Sequence, residues 1–145
     1  MRNWKQFFSS TENSGIYSIG KDAFPNVRKA AAKFGLVVFD LDLKDISGKA
    51  DFLNATAKVL HFPSYFGSNW DALNDCLTDL SWLDAEGYVL LFQNLENFRH
   101  NAPEELAVAR SILQDAAAYW KQRGVCFFVG IAGENPESDF EILAD

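Results

Sequence analysis

The chain is short of the residue patterns that chemistry at a site usually needs. Cysteine occurs twice in 145 residues, as Cys76 and Cys126, both in apolar surroundings and neither in CxxC spacing. That excludes a disulfide framework and predicts two buried, reduced thiols. His61 and His100 stand apart, and no HxxE or HExxH pattern accompanies them, so no metal-ligand set can be assembled. There is no GxSxG elbow and no glycine-rich loop of the phosphate-cradling kind. No apolar run approaches the roughly 18–20 residues that cross a bilayer, and the amino-terminal MRNWKQFFSSTENS lacks the continuous apolar segment of a secretory signal. The expectation is a soluble, cytoplasmic protein that is not an enzyme, holds no cofactor or metal and makes no membrane contact.

Basic residues are missing where acid is densest. From Val59 to Phe98 there is no Lys or Arg, while Asp71, Asp75, Asp79, Asp84, Glu86 and Glu96 all fall in that window. The chain carries a formal charge of −7, and the excess is concentrated rather than spread. A patch of one sign attracts cationic surfaces and repels nucleic acid. A basic protein partner is therefore expected and direct nucleic-acid binding is not, the only basic clustering lying in the amino-terminal third.

Inside this window, Phe62 to Trp82 reads as an aromatic loop followed by an amphipathic helix over 69–82. Trp70, Leu73, Leu77 and Leu80 share one face with Cys76 beside them, while Asp71, Asp75 and Asp79 recur at four-residue intervals nearly opposite. Like charges at that spacing cost a helix about 0.2–0.5 kcal/mol per pair, and Asp near a helix C-terminus opposes the macrodipole. A solvated face ordinarily mixes signs, so the ladder points to retention for binding. Asp71 has a second explanation, because Ser68 as N-cap would make Ser68-x-x-Asp71 a capping box. Gly67 reads as a turn residue at positive φ, and at least one of Tyr65 and Phe66 as a cover for the core. Trp70 and Trp82 read as packing residues, Trp70 being also within reach of the patch rim. As a catalytic pair, Asp71 and Asp75 fail: both share one exposed face, whereas acid–base work needs environments that push their pKa values apart.

The 48% hydrophobic content is enough for a single core. Strands are expected at 36–43, 88–92 and 125–131, bounded by Gly35, Gly87 and Gly124, with helices at 49–60, 69–82 and 103–123. In the last helix Pro103 suits the first turn and Gly124 the C′ position. Alternating strands and helices predict an α/β fold with a small parallel sheet of three strands, or four if Gly15–Ile19 adds one ahead of a helix at 23–34. The chain divides into an N-terminal extension (1–34) packed on a domain (35–132), and an acidic tail (133–145) with no partner element and hence mobile.

The run Tyr65-Phe66-Gly67-x-Asn69-x-Asp71-Ala72-Leu73-x-Asp75-Cys76-Leu77-Thr78 resembles the barstar family, bacterial intracellular inhibitors of the ribonuclease barnase. A looser likeness in element order extends from about Leu36 to Ile131. The resemblance implies a three-stranded parallel sheet flanked by helices, and a binding surface on the acidic helix and the loop before it that plugs the active site of a basic, extracellular-type ribonuclease. Carried over, that surface comprises Tyr65, Gly67, Asn69, Asp71, Asn74, Asp75, Thr78 and Asp79, with Asp75 as the central carboxylate and the free protein a monomer. A carboxylate met by Arg side chains imitates a phosphate well. Two departures stand out. Asn74 occupies a position where the family type protein has Trp, and the family's third acidic contact falls on Arg110, with Glu104, Glu105 or Asp115 as substitutes. The alternative partner is a different cationic toxin or regulatory protein, for which the chain would be an interaction or immunity module.

Overall fold

The computed structural model describes residues 2–64, 66–132 and 141–143, the last three as backbone alone. Along the chain lie α1 (Trp4–Phe8), β1 (Gly15–Ile19), α2 (Phe24–Lys33), β2 (Leu36–Asp42), α3 (Lys49–Val59), α4 (Trp70–Leu77), β3 (Gly87–Gln93), α5 (Glu96–Asn101), α6 (Pro103–Gln122), β4 (Cys126–Ile131) and β5 (Glu141–Leu143). Short 3₁₀ turns cover Thr11–Asn13 and Lys21–Ala23.

The apolar blocks pair into one parallel sheet in the order β2-β3-β4-β1-β5. Central strands β3 and β4 are buried on both faces, which is why their sequences are nearly unbroken apolar runs. Edge strand β2 is covered less evenly and exposes Asp40 and Asp42. Gly87 opens β3 where a Cβ would lie 2.6 Å from Leu36 Cδ2 and 2.9 Å from the Cys126 carbonyl oxygen. Only glycine lets the three strands start flush there. The α/β class and the fourth strand at Gly15–Ile19 agree with expectation, and β5 adds a further short strand.

That addition corrects the reading of the tail, which was expected to lack a partner element. Glu141–Leu143 runs parallel to β1, with Tyr17 opposite Glu141 and Ile19 opposite Leu143. An edge strand presents unpaired N–H and C=O groups, and an extended segment that reaches it satisfies them. Tail residues 133–140 and 144–145 lie outside the described residues.

Helices cover the sheet on both sides. On one, α3, α4, α5 and α6 bury Phe52, Leu73, Leu77, Phe98 and Leu113 against Leu90, Phe92, Phe127 and Val129. The long α6 has Pro103 in its first turn and Gly124 just beyond its end at φ 69°, as its sequence implies. On the other side, α1 and α2 bury Trp4, Phe8, Phe24 and Val27 against Val89, Leu91 and Phe128. Helix α1, absent from the sequence reading, has five residues, too few to show a period. Its side chains Trp4 and Phe8, one turn apart, meet Phe128 with ring centroids 6.0 and 5.3 Å away. The six-residue α5 escaped notice for the same reason.

Both cysteines are buried and free. Burial pushes the Cys126 thiol up to about 12, against the lowering pull of a hydrogen bond with Ser14.

Candidate functional site

Helix α4 is capped by Asn69, not Ser68. The Asn69 side-chain oxygen accepts from the Ala72 N–H at 2.8 Å, which satisfies one of the unpaired donors of the first turn. The capping box drawn from Ser68 and Asp71 is therefore absent: Asp71 sits one residue short of the box's acidic position, where its charge still suits the macrodipole. Positive φ falls on Ser68, at 53°, rather than on Gly67. Gly67 serves differently, since a Cβ there would stand 3.3 Å from the Asn69 side-chain nitrogen that donates to the Gly67 carbonyl.

The helix also ends earlier than its periodicity suggested. Its last residue is Leu77, and the N–H groups of Asp79 and Leu80 both reach the Cys76 carbonyl at 3.2 and 3.1 Å. Leu80 then takes φ 53° and is fully buried. Burying that side chain turns the chain inward, and it outweighs the strain of a left-handed conformation for a non-glycine residue. Asp71 and Asp75 thus share the exposed face of the helix, with Asn74 beside them, and Asp79 stands exposed just beyond it. Thr78 is half-buried, its hydroxyl donating to the Asn74 carbonyl at 2.8 Å. Asn69 and Gly67 are exposed; Tyr65 lies outside the described residues. Burial, then the negative charges of Asp79 and Asp75, raises the pKa of Cys76 on the inner side of α4.

Two tryptophans fix the helix to α6. At its start the Trp70 indole N–H donates to Glu105 Oε2 at 3.0 Å, while Lys49 Nζ sits 5.8 Å from the indole ring and Phe52 packs 6.1 Å away. At its end the Trp120 indole donates to the Leu77 carbonyl at 2.8 Å. A third indole, Trp82, caps α3 through the Leu60 carbonyl at 3.0 Å and packs on Phe62, which touches Phe66. Each bond occupies a polar group that would otherwise be stranded between packed elements, and the first two hold α4 along α6. Glu105 is the α6 carboxylate joined to α4. Arg110 lines a small apolar cavity of about 20 Å³ with Arg99, Phe52, Phe92 and Ile131. Glu104 and Asp115 are exposed.

Within the described residues no ion pair involves Asp71, Asp75 or Asp79, and no group of three or more His, Cys, Asp or Glu could hold a metal. None of the described helices is long and apolar enough to cross a membrane. The arrangement is an exposed carboxylate surface on a helix tied to α6 at both ends, and such a surface attracts cations.

A family model described as Barstar (barnase inhibitor) matches residues 36–132, from β2 to just past β4. No curated protein matches the sequence. Among solved structures, a chain of Drosophila ORC bound to DNA is similar at TM-score 0.62 and 14% identity over 96% of this chain. The Aeropyrum pernix ORC2 protein in its ADPNP-ADP complexes is similar at TM-score 0.57 and 16% identity over 88%. This chain spans 40% and 37% of the length of those two chains, and at such identity the likeness shows the fold alone. The sequence does hold Gly15-x₄-Gly20-Lys21, the spacing of a phosphate loop, but Asp22 stands where Ser or Thr would follow. Residues 15–19 form β1, paired on both sides, and Gly20 alone joins it to the turn at Lys21. The described residues leave no looped row of N–H groups there to cradle a phosphate.

Proposed function

We propose, from the premise that this chain belongs to the barstar family, that it is an intracellular inhibitor of a basic ribonuclease, placing the acidic face of α4 in the enzyme's active site as a mimic of RNA phosphate. The observation that carries this reading is the pair Asp71 and Asp75, exposed on a helix bound to α6 by indole hydrogen bonds at both ends. A surface held this way loses little side-chain and backbone freedom on binding, and its carboxylates meet guanidinium groups without first breaking internal pairs. Asp75, in the middle of α4, is the central contact; Asn69, Gly67, Tyr65, Asn74, Thr78 and Asp79 surround it. Inhibition then follows from occlusion and charge mimicry, with no covalent step.

Asn74 in place of the family's Trp favours a target surface different from that of barnase itself, and a cationic toxin of other chemistry is the second reading. Titration of the purified protein into a barnase-type ribonuclease, and into any small nuclease or toxin encoded beside it, tests both. Stoichiometric loss of RNA cleavage is the expected result. Inhibition confined to a non-nuclease toxin would establish the second reading, and metal-dependent turnover abolished by Asp71→Asn or Asp75→Asn would overturn both.

A further inference from the structure

The charge of this chain is divided across its sheet. Residues 2–34, which form α1, β1 and α2, hold six basic and two acidic side chains, against seven and 18 in the remainder. On the outer side of the α1–α2 layer two adjoining open grooves, of about 360 and 220 Å³, share Arg2 and Asn3. The larger is lined by Lys5, Lys29 and Asn26 as well, and the smaller by Gln6, Phe7 and Asn13. Three cations and four carboxamides thus line the trough, and no carboxylate among the described residues does, in a protein whose acids outnumber its bases 20 to 13. Lys5 and Lys29 are exposed and face a common space without a described acid between them, an arrangement that an anion relieves.

The walls are firm. Trp4 is 3% exposed and Phe8 4%; they stack on each other and both meet Phe128 edge-on. The Arg2 guanidinium lies 5.7 Å from the Trp4 ring centre and 5.6 Å from that of Phe7, which orients a weakly hydrated, planar cation at the divide between the grooves. Half-buried Phe7 keeps part of its ring toward the smaller groove.

We propose that this trough binds a short stretch of single-stranded nucleic acid, with the exposed Lys5 and Lys29 on phosphates and the half-buried Phe7 beside a base. A cationic groove that tracks the backbone beside an aromatic surface is the general form of such a site, and the shape is open and elongated where a small-molecule pocket would be enclosed. The expectation against nucleic acid rested on the net charge and on the confinement of basic clustering to the amino-terminal third, where this trough lies. The sheet separates this layer from α4, so Asp71 and Asp75 sit on the opposite side. The site is independent of the inhibitor reading, and both faces can be occupied at once.

The test is fluorescence anisotropy of a labelled uridine octamer with the full chain at about 50 mM salt, repeated at rising salt. Saturable binding is expected, with log K falling against log salt at a slope of about −1.4, since each of two neutralised phosphates contributes roughly −0.7. Lys5→Glu with Lys29→Glu, both exposed and so tolerated by the fold, should weaken it at least about tenfold, and Lys58→Glu on α3 should not. Absence of binding by the wild type, or equal binding by the Lys5/Lys29 variant, would overturn the proposal. So would a polyglutamate of the same charge binding as tightly, because the trough would then be a general anion surface.

Discussion

The two sides of the sheet carry opposite charge and are built by different means. The α4 side is an acidic face on a helix held by directed hydrogen bonds from Trp70 and Trp120. The α1–α2 side is a basic face on a layer held by ring packing around Phe128. Directed bonds fix the orientation of a helix as well as its position, whereas on the ring-packed layer the exposed Lys5 and Lys29 keep their side-chain freedom. The acidic face is therefore suited to a shaped cleft and the basic face to a pliable strand.

Exchanging charge between the two sides gives the largest expected effect. Asp75→Ala should weaken binding to the target ribonuclease by about 2–5 kcal/mol, a general range for truncated interface charges to which barnase and barstar themselves contributed. Its unfolding midpoint should hold steady, because Asp75 is exposed mid-helix and its loss relieves repulsion toward Asp71. Lys29→Ala should leave that affinity unchanged. Calorimetric titration of the two variants side by side breaks the comparison if they respond alike.

Trp120→Phe keeps most of the ring packing against Tyr88 and removes the donor to the Leu77 carbonyl. A loss of about 1–3 kcal/mol in urea unfolding is expected, the cost of stranding a partly buried acceptor. A larger loss of nuclease affinity than Lys29→Ala produces would show that the anchor sets the orientation of α4. Unchanged affinity would reduce Trp120 to packing.

The smallest effect lies at the strand ends, where Asp42 on β2 accepts from the Asn94 amide at 2.8 Å and the Lys44 N–H at 3.1 Å. Those bonds, the Asn94 amide first, hold its carboxyl below the ordinary 3.8, with smaller help from the charges of Lys44 and Lys21. A folded-state pKa below the unfolded one adds stability above about pH 4 that is lost as pH falls through the folded value. Asn94→Gly removes the amide while tolerating the φ of 62°. Its stability deficit should be visible at about pH 6 and shrink by about pH 3; a deficit equal at both would assign it to the backbone instead.

Much of this architecture is legible in the sequence. The apolar runs of β2, β3 and β4, the stripe of α6 and its bounding Pro103 and Gly124 are local signals strong enough to survive packing. The acidic ladder was legible as a pattern, and its outer limits were not. Asn69 and Ser68 are both good caps by type, and only the backbone turn at Ser68 selects Asn69. Leu77 and Leu80 both fit one helical face, and only the demand to bury Leu80 ends the helix between them. The short helices α1 and α5 carry too few residues for periodicity to speak.

By itself the sequence determined an α/β fold, two buried thiols, an acid-rich segment without a base, and the motif at Tyr65–Thr78 that marks the family. These follow from residue type and spacing within one element, and neighbouring residues interact wherever the chain goes. Only the tertiary structure decided that β5 closes onto β1, that Glu105 meets α4, and that Arg2, Lys5 and Lys29 converge on one trough. Those relations join residues far apart in the chain, and their partners are chosen when the sheet brings the elements together.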